Sequence, residues 1–512
     1  MPDRKRTFNY TFELLPARAS KGRALDELIR FAEQAASDGI LHALSITDNA
    51  GGHPALSPLA LGREIADLGI EPIIHFSCKD KNRNTLESQL LELDRAGLHK
   101  LMVITGDYPG PGFRGRAKPV FDLDSVQALD LVREMNRPGK ENSQGQSPWK
   151  LETAFTAGCV VSSFKKTEAE QAGQYLKLAK KLEAGACFIV SQMGFDIRKF
   201  QELLIVKNML AEKIPLYATV FVPDIRLARL IRKGAIPGCT IPARILMKME
   251  KEACETRAMA MKKGIERAAR LVALLRGIGF DGVHLSGYQL DYQHVRSIIK
   301  QADEYAAQWR THIRDFIFPE EWNWMLFEQD KETGLNIRDD GKGILQILRS
   351  LPGKYHSPLK GVIFSANSIM HNMFFERDKG AYGICRRFSE KLERSSTLQP
   401  FTSFEHFIKG ILYDCRHCGD CYLDDNAFLC PHSQCAKFLV NGPCGGSNNG
   451  WCEVWPGKKR CIYVRIYERV KETAVIKTLS GPILPPRDWN LDSTSSWLNF
   501  YLGKDHSAAK GD

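Results

Sequence analysis

The chain has 512 residues, too many for one ordinary hydrophobic core, so about two or three domains are expected. With 43% hydrophobic and 26% charged residues it has the composition of a soluble globular protein, and no run approaches the roughly 18 to 20 apolar residues of a membrane span. A formal net charge of +11 points to an anionic partner, whether nucleic acid, a membrane surface or a phosphorylated or carboxylated small molecule, although no run of five Lys/Arg concentrates that charge.

The opening MPDRKRTFNYTFELLPAR is basic but lacks the apolar segment of a signal peptide, so a cytoplasmic location is expected. From residue 8 to about 290, short β-rich runs alternate with stretches of helical periodicity. The strand candidates are FNYTFELL, LHALSIT, PIIHFSC, KLMVITGD, TAGCVVSS, ACFIVSQMGF, PLYATVFV and GVHLSGY. Between them, segments such as ALDELIRFAEQAASDG, TLESQLLELDRAG and EAEQAGQYLKLAKKLEAG repeat apolar residues every three and four positions. Gly39, Gly69, Gly97 and Gly185 stand where helices should close before the next strand. Eight strand-then-helix units in this length predict an α/β chain built on a (β/α)8 TIM barrel, with a doubly wound sheet as the alternative.

A barrel builds its site at the C-terminal ends of its strands. Here those ends carry Glu13 on strand one, Thr47 and Asp48 on two, His75 and Ser77 on three, Thr105 and Asp107 on four and Gln192 on six. Gly110, Gly112 and Gly115 satisfy G-x-G-x-x-G, but Pro109 and Pro111 favour an extended turn over a helix start, so this stretch is expected to be a loop over the barrel mouth. Further on, RSIIKQADEYAAQWRTHIRDFI reads as a helix and FEQDKETGLNIRDDGKG as a polar loop. GVIFSANSIM suits a strand or a buried helix, and the terminal DHSAAKGD a frayed tail.

Of the 14 cysteines, eight are crowded together as Cys415, Cys418, Cys421, Cys430, Cys435, Cys444, Cys452 and Cys461, spaced C-x2-C-x2-C-x8-C-x4-C-x8-C-x7-C-x8-C. In a reducing compartment such a cluster reads as metal ligands, and eight thiolates complete two four-cysteine sites. The C-x2-C-x2-C opening and the Cys430-Pro431 pair suit two 4Fe-4S clusters, whereas structural zinc, the alternative, uses paired C-x2-C knuckles. The chain thus reads as a barrel followed by a smaller C-terminal cysteine-rich iron-sulfur or zinc domain.

FELLPAR, LSITDNAGG, IHFSC, ITGDYPG, LAKKLEAGA and VSQMGFD resemble, in order and spacing, the motifs of the methylenetetrahydrofolate reductase family. The resemblance implies a flavin, FAD or FMN, lying across the barrel mouth and passing a hydride to 5,10-methylenetetrahydrofolate to give 5-methyltetrahydrofolate. Glu13 matches the catalytic glutamate, a general acid whose apolar neighbours Phe12, Leu14 and Leu15 are expected to raise its pKa. Asp107 matches an aspartate near flavin and pterin, and Gln192 a glutamine on the folate. Thr47, His75, Thr105, Asp107, Lys180 and Lys181 fall where the family binds its flavin, the two lysines as a phosphate clamp. Two departures, Thr105-Gly106-Asp107 in place of Arg-Gly-Asp and CVVSS in place of an Ala-Tyr-Pro-Glu run, leave FAD against FMN open.

The stretch 355–500, with CRHCGDC, CPHSQC, NGPCGGS and PPRDWNLD, is similar to the cysteine-rich C-terminal domain fused to some of these reductases and to the acetogen iron-sulfur accessory subunit. The expected division is 1–295 as a flavin-binding reductase barrel, 296–354 as a helical linker and 355–512 as the metal-cluster domain. The implied electron donor is NAD(P)H, ferredoxin or a partner redox protein, and the chain stands alone or as a homo- or hetero-oligomer. Physiological oxidation of 5-methyltetrahydrofolate is the alternative direction. A zinc-ribbon grip on nucleic acid is the non-enzyme alternative, disfavoured because no basic stripe with interleaved aromatics is present.

Overall fold

A computed structural model describes residues 8–137, 152–337, 342–350, 358–377, 380–471 and 481–510. Eight parallel strands close on themselves: β1 (Asn9–Leu14), β2 (Ala43–Ile46), β3 (Glu71–Ser77), β4 (Lys100–Ile104), β5 (Thr156–Val161), β6 (Phe188–Ser191), β7 (Leu216–Phe221) and β8 (Gly282–Ser286). Each pairs with the next and β8 returns to β1, where Phe12 stands beside both Leu44 and Leu285. This is the (β/α)8 barrel, and closure excludes the doubly wound sheet.

The helices are α1 (Arg23–Asp38), α2 (Pro58–Asp67), α3 (Arg83–Arg95), α4 (Ser125–Met135), α5 (Glu168–Glu183), α6 (Ile197–Ala211), α7 (Ile225–Arg232), α8 (Ala243–Ala253), α9 (Arg257–Ile278) and α10 (Tyr292–Tyr305). Gly39 closes α1 in the left-handed conformation, its N–H bonding to the carbonyl of Ala35, and Gly69, Gly97 and Gly185 also take positive φ. Inside the barrel a small cluster of Ala43, Ile73, Met102, Phe188 and Val190 fills the axis. Gly158 makes that filling fit, because a Cβ there would lie 2.2 Å from the Phe188 ring.

Beyond α10 the chain stays on the barrel. Phe318 is fully buried, and Asp196, at the start of α6, accepts bonds from Phe318 N at 3.0 Å and Trp322 Nε1 at 2.7 Å. Much of the stretch expected as a linker is therefore a strap along the outer wall; residues 338–341 and 351–354 fall outside the described ones. The strap leads to α11 (Ile344–Ser350), α12 (Pro358–Phe374), α13 (Gly380–Glu393) and α14 (Leu398–Tyr413). GVIFSANSIM lies in α12 as a helix, with Ile369 and Met370 exposed rather than buried.

Helix α14 is amphipathic in the reverse sense. Thr402, Glu405 and Lys409 are buried, while Phe404, Phe407 and Ile411 face outward. The inward polar groups are occupied by the cysteine loop and the last helix: Lys409 Nζ lies 3.2 Å from Cys421 Sγ, and Glu405 accepts hydrogen bonds from Ser495 and Ser496. No helix among the described residues is long and apolar enough to cross a membrane.

The C-terminal segment differs from the frayed tail expected. His506 is buried between two carboxylates, with Nδ1 2.5 Å from Asp420 and Nε2 3.0 Å from Asp425, and its ring stacks on Tyr422 at 4.1 Å. Burial opposes the charge, but the bonds to Asp420 and Asp425 outweigh it and raise the pKa from 6.5 to about 9. A raised pKa contributes stability that is complete below 6.5 and is lost as pH climbs through about 9. Across that window the parent should lose about 3 kcal/mol of unfolding free energy relative to His506→Gln, a comparison that cancels the opposing contributions of Lys180 and Lys181. A difference that does not change with pH would rule His506 out as its source.

Candidate active site and cysteine centres

A cavity of about 390 Å³ opens at the C-terminal ends of the strands. It gathers Glu13, Thr47, His75, Thr105, Asp107, Lys181 and Gln192 from widely separated positions, together with His284, which sequence reading passed over. Glu13, at the end of β1, accepts a hydrogen bond from Ser286 Oγ at 2.8 Å, and its Oε2 lies 3.7 Å from His284 Nε2. Burial alone would raise this carboxyl, as expected from its apolar neighbours. Here His284, with smaller contributions from His75 and Ser286, overrides burial and holds it down to about 2, so the expected direction is reversed. His75 on β3 meets Ser45 Oγ at 2.6 Å, and burial, only partly offset by Glu13, depresses it to about 4.

Asp107 is exposed on the rim, where its Oδ2 accepts the Gly51 N–H at 2.8 Å. Gln192 turns its carbonyl oxygen to Met193 N at 2.8 Å, and Thr105 donates to Ser125 Oγ at the start of α4. Lys79, 1% exposed, also borders the cavity but is tied to the carbonyls of Asp48 and Asn49. The G-x-G-x-x-G stretch forms a small exposed hairpin, pairing Pro111 with Arg116, and lies outside the cavity's lining.

The lysine pair does not form one clamp. Successive residues on a helix point about 100° apart, so α5 sends the two side chains in different directions. Lys181 borders the cavity and donates to the Val160 carbonyl at 2.7 Å, whereas Lys180 reaches the Pro482 carbonyl at 3.3 Å in a separate recess against the cysteine-rich region. Burial lowers both to about 8.

The eight cysteines divide in sequence order. Cys415, Cys418, Cys421 and Cys430 line one recess beside Lys409. In the second group, burial raises the Cys435 thiol and Cys452 adds to the shift, while Cys444 and Cys435 act likewise on Cys461. Among the described residues, the trios of ligating side chains whose donor atoms fall within 4.8 Å of one another are Glu13–His75–His284 and Asp420–Asp505–His506; no cysteine trio is that tight.

The second group is pressed against the barrel. Gln174 donates to the Cys444 carbonyl at 2.8 Å, Lys177 to Gly442 at 3.1 Å and Lys165 to Ser447 at 2.7 Å. Asn441 N donates to Asp124 at 2.9 Å, and Tyr467 OH to Glu168 at 2.8 Å. These contacts bury α5 along nearly its whole length. Lys437 donates to the Gly106 carbonyl at 2.8 Å and pairs with Glu453, and Cys444, Lys437 and Glu453 all border the cavity.

Residues 1–303 match the family profile described as methylenetetrahydrofolate reductase, and residues 395–490 match the one described as methylene-tetrahydrofolate reductase C terminal. Methylenetetrahydrofolate reductase 1 of Schizosaccharomyces pombe is 22% identical over 249 residues, 47% of this chain; the match spans 37% of that relative's length. Among solved structures, an uncharacterised Clostridium thermocellum protein that binds two copies of 5-methyl-5,6,7,8-tetrahydrofolic acid aligns over 59% of this chain and 96% of its own, at 13% identity and a TM-score of 0.39. A monomeric dihydrodipicolinate synthase variant aligns over 58% and 97%, at 12% identity and a TM-score of 0.28. With its barrel and its cysteine-rich region each matched to a part of the same enzyme, the chain belongs to the methylenetetrahydrofolate reductase family.

Proposed function

We propose that this chain reduces 5,10-methylenetetrahydrofolate to 5-methyltetrahydrofolate with a flavin at the barrel mouth and two iron-sulfur clusters, one on each cysteine group. The observation that carries the reading is that a wall of the cavity holding Glu13, Asp107 and Gln192 is formed by Cys444 of the second cysteine group. When bound, the flavin supplies the hydride and the clusters supply single electrons.

The residues suit these groups. Ser162 Oγ and His284 Nε2 border the cavity, buried and without hydrogen-bond partners, as expected where a polar ligand completes the site. The C-x2-C-x2-C run and the gathering of Cys415, Cys418, Cys421 and Cys430 in one recess favour cubanes over the paired knuckles of structural zinc. Thr47, His75, Thr105 and Lys181 would hold the flavin, with Lys180 outside that set.

Glu13 borders the cavity and delivers the proton that opens the methylene bridge; held down to about 2, its carboxyl is ionised at neutral pH and receives that proton from His284, 3.7 Å away. Asp107 places a negative charge on the rim that favours a cationic iminium on the substrate. Gln192 keeps its amide nitrogen for the pterin edge, its oxygen being engaged by Met193.

An anaerobic absorption spectrum before and after dithionite, with iron, zinc and sulfide counted and folate turnover assayed on the same sample, tests the reading. Flavin bands over a bleachable shoulder, with iron and sulfide each near about eight per chain and methylated folate formed, are expected. Flavin with zinc and no sulfide would make the cysteine region structural. Absence of flavin would sink the reading.

A further inference from the structure

We propose that His284 is the positioning partner of Glu13, holding at Nε2 the proton that Glu13 passes to the substrate, with Thr11 fixing the ring so that only Nε2 exchanges it. The proposal rests on the folate reading above and names a residue and a tautomer that reading leaves open.

Thr11 Oγ1 donates to the Val283 carbonyl at 3.4 Å, and the same oxygen lies 2.9 Å from His284 Nδ1. A hydroxyl has a single hydrogen. At 2.9 Å Thr11 occupies Nδ1, and we assign the hydroxyl hydrogen to Val283 and the ring proton to Nδ1. Exchange is left to Nε2.

Nε2 is placed for that exchange. The His284 side chain is 3% exposed, its Nε2 has no hydrogen-bond partner, and the nearest carboxylate oxygen is Glu13 Oε2 at 3.7 Å. Catalytic hydrogen bonds are often this long before substrate is bound. The other Glu13 oxygen is held by Ser286 Oγ, which leaves Oε2 for the ring. Glu13 keeps 24% of its side chain open and borders the cavity beside His284. One proton therefore has two seats, Nε2 and Oε2.

The other ionisable groups facing the pair do not compete for that proton. His75 on β3 is engaged through Nε2 by Ser45, and burial keeps it neutral. Lys79 is spent on the carbonyls of Asp48 and Asn49, and the Asp48 carboxylate is paired with Lys81. Burial pushes the Cys239 thiol up to about 12, so it stays protonated.

The step balances. The His284 Nε2–H bond breaks as an O–H bond forms on Glu13, leaving a neutral imidazole still protonated at Nδ1. The Glu13 O–H bond then breaks as an N–H bond forms on the departing ring nitrogen, which takes the electron pair of the methylene C–N bond and leaves Glu13 a carboxylate. Water in the cavity recharges the pair.

Infrared pH titration of the protonated carboxyl band, assigned by subtracting Glu13→Gln, reads the pair without turnover. Replacing His284 by Gln should raise the Glu13 midpoint by about 1–3 pH units, and the pH profile of folate turnover should move with it. Thr11→Val, a milder change that also guards against misfolding of the first variant, should shift the midpoint in the same direction, and Thr11→Ser should restore it. An unmoved Glu13 midpoint in both His284→Gln and Thr11→Val would overturn the proposal. A midpoint that moves in a protein without folate turnover would instead keep the proton pair and discard the folate reaction.

Discussion

Glu13→Gln should lower folate turnover by about 10²–10⁴-fold, the usual contribution of a positioned general acid. Glutamine preserves the length of the side chain and can still accept from Ser286, so the barrel should fold and the flavin should still bind. What it cannot do is carry a proton between His284 and a ring nitrogen. Single-turnover measurement with pre-reduced enzyme isolates that loss from any change in electron supply, and flavin absorbance on the same sample checks binding. Turnover within a few-fold of the parent would remove Glu13 from the chemistry and turn attention to the other groups of the cavity.

Lys437→Ala should cost about 3–5 kcal/mol, because it strips the partner from a buried carboxylate. The ammonium and the Glu453 carboxylate are both nearly inaccessible, and Lys437 also donates to the Gly106 carbonyl beside Asp107. Burial works against the charge on Lys437, yet Glu453 and Cys444 hold it on. Without it, the Glu453 carboxylate loses its buried partner where the cysteine region meets the barrel. Denaturant unfolding should show the loss, and limited proteolysis should show the C-terminal region freed from the barrel before the barrel itself is cut. Replacing both partners, Lys437→Met with Glu453→Leu, should recover most of the stability, since no unpaired charge remains. If the single and double replacements were equally damaging, packing rather than charge pairing would hold the seam.

The docking geometry also bears on electron flow. The second cysteine group borders the cavity through Cys444, while the first lies under α14 with Lys409 against Cys421. Under the proposed function, electrons entering at the first group would pass to the second and then to the barrel mouth. Loss of the second group by Cys444→Ser should therefore block reduction of the flavin by an external one-electron donor, while folate turnover by flavin reduced directly with dithionite should persist.

The sequence alone determined the barrel, because a buried parallel strand must be an unbroken apolar run and an amphipathic helix must repeat every three to four residues. LHALSIT and PIIHFSC could therefore be read directly, as could the glycines that close α1 and α5. The polar residues at strand ends were legible for the same local reason: Glu13, His75 and Gln192 interrupt apolar runs where the fold opens to solvent. The crowding of eight cysteines between Cys415 and Cys461 was legible directly, and their metal role is the reading proposed for them.

What remained hidden depends on groups far apart in the chain. His284 was visible as a polar residue in an apolar strand, but its distance from Glu13, which reverses the direction of the carboxyl's pKa, comes only from closing β8 on β1. Lys180 and Lys181 look equivalent as neighbours, and only the packing of α5 between the cavity and the cysteine region separates them. His506 reads as part of a loose tail until Asp420 and Asp425 enclose it. Periodicity and spacing report what a residue shares with its neighbours in sequence. Charge, tautomer and partner are set by what lies within a few ångströms in space, and in this protein those contacts are made when the barrel closes and the cysteine region seats on its mouth.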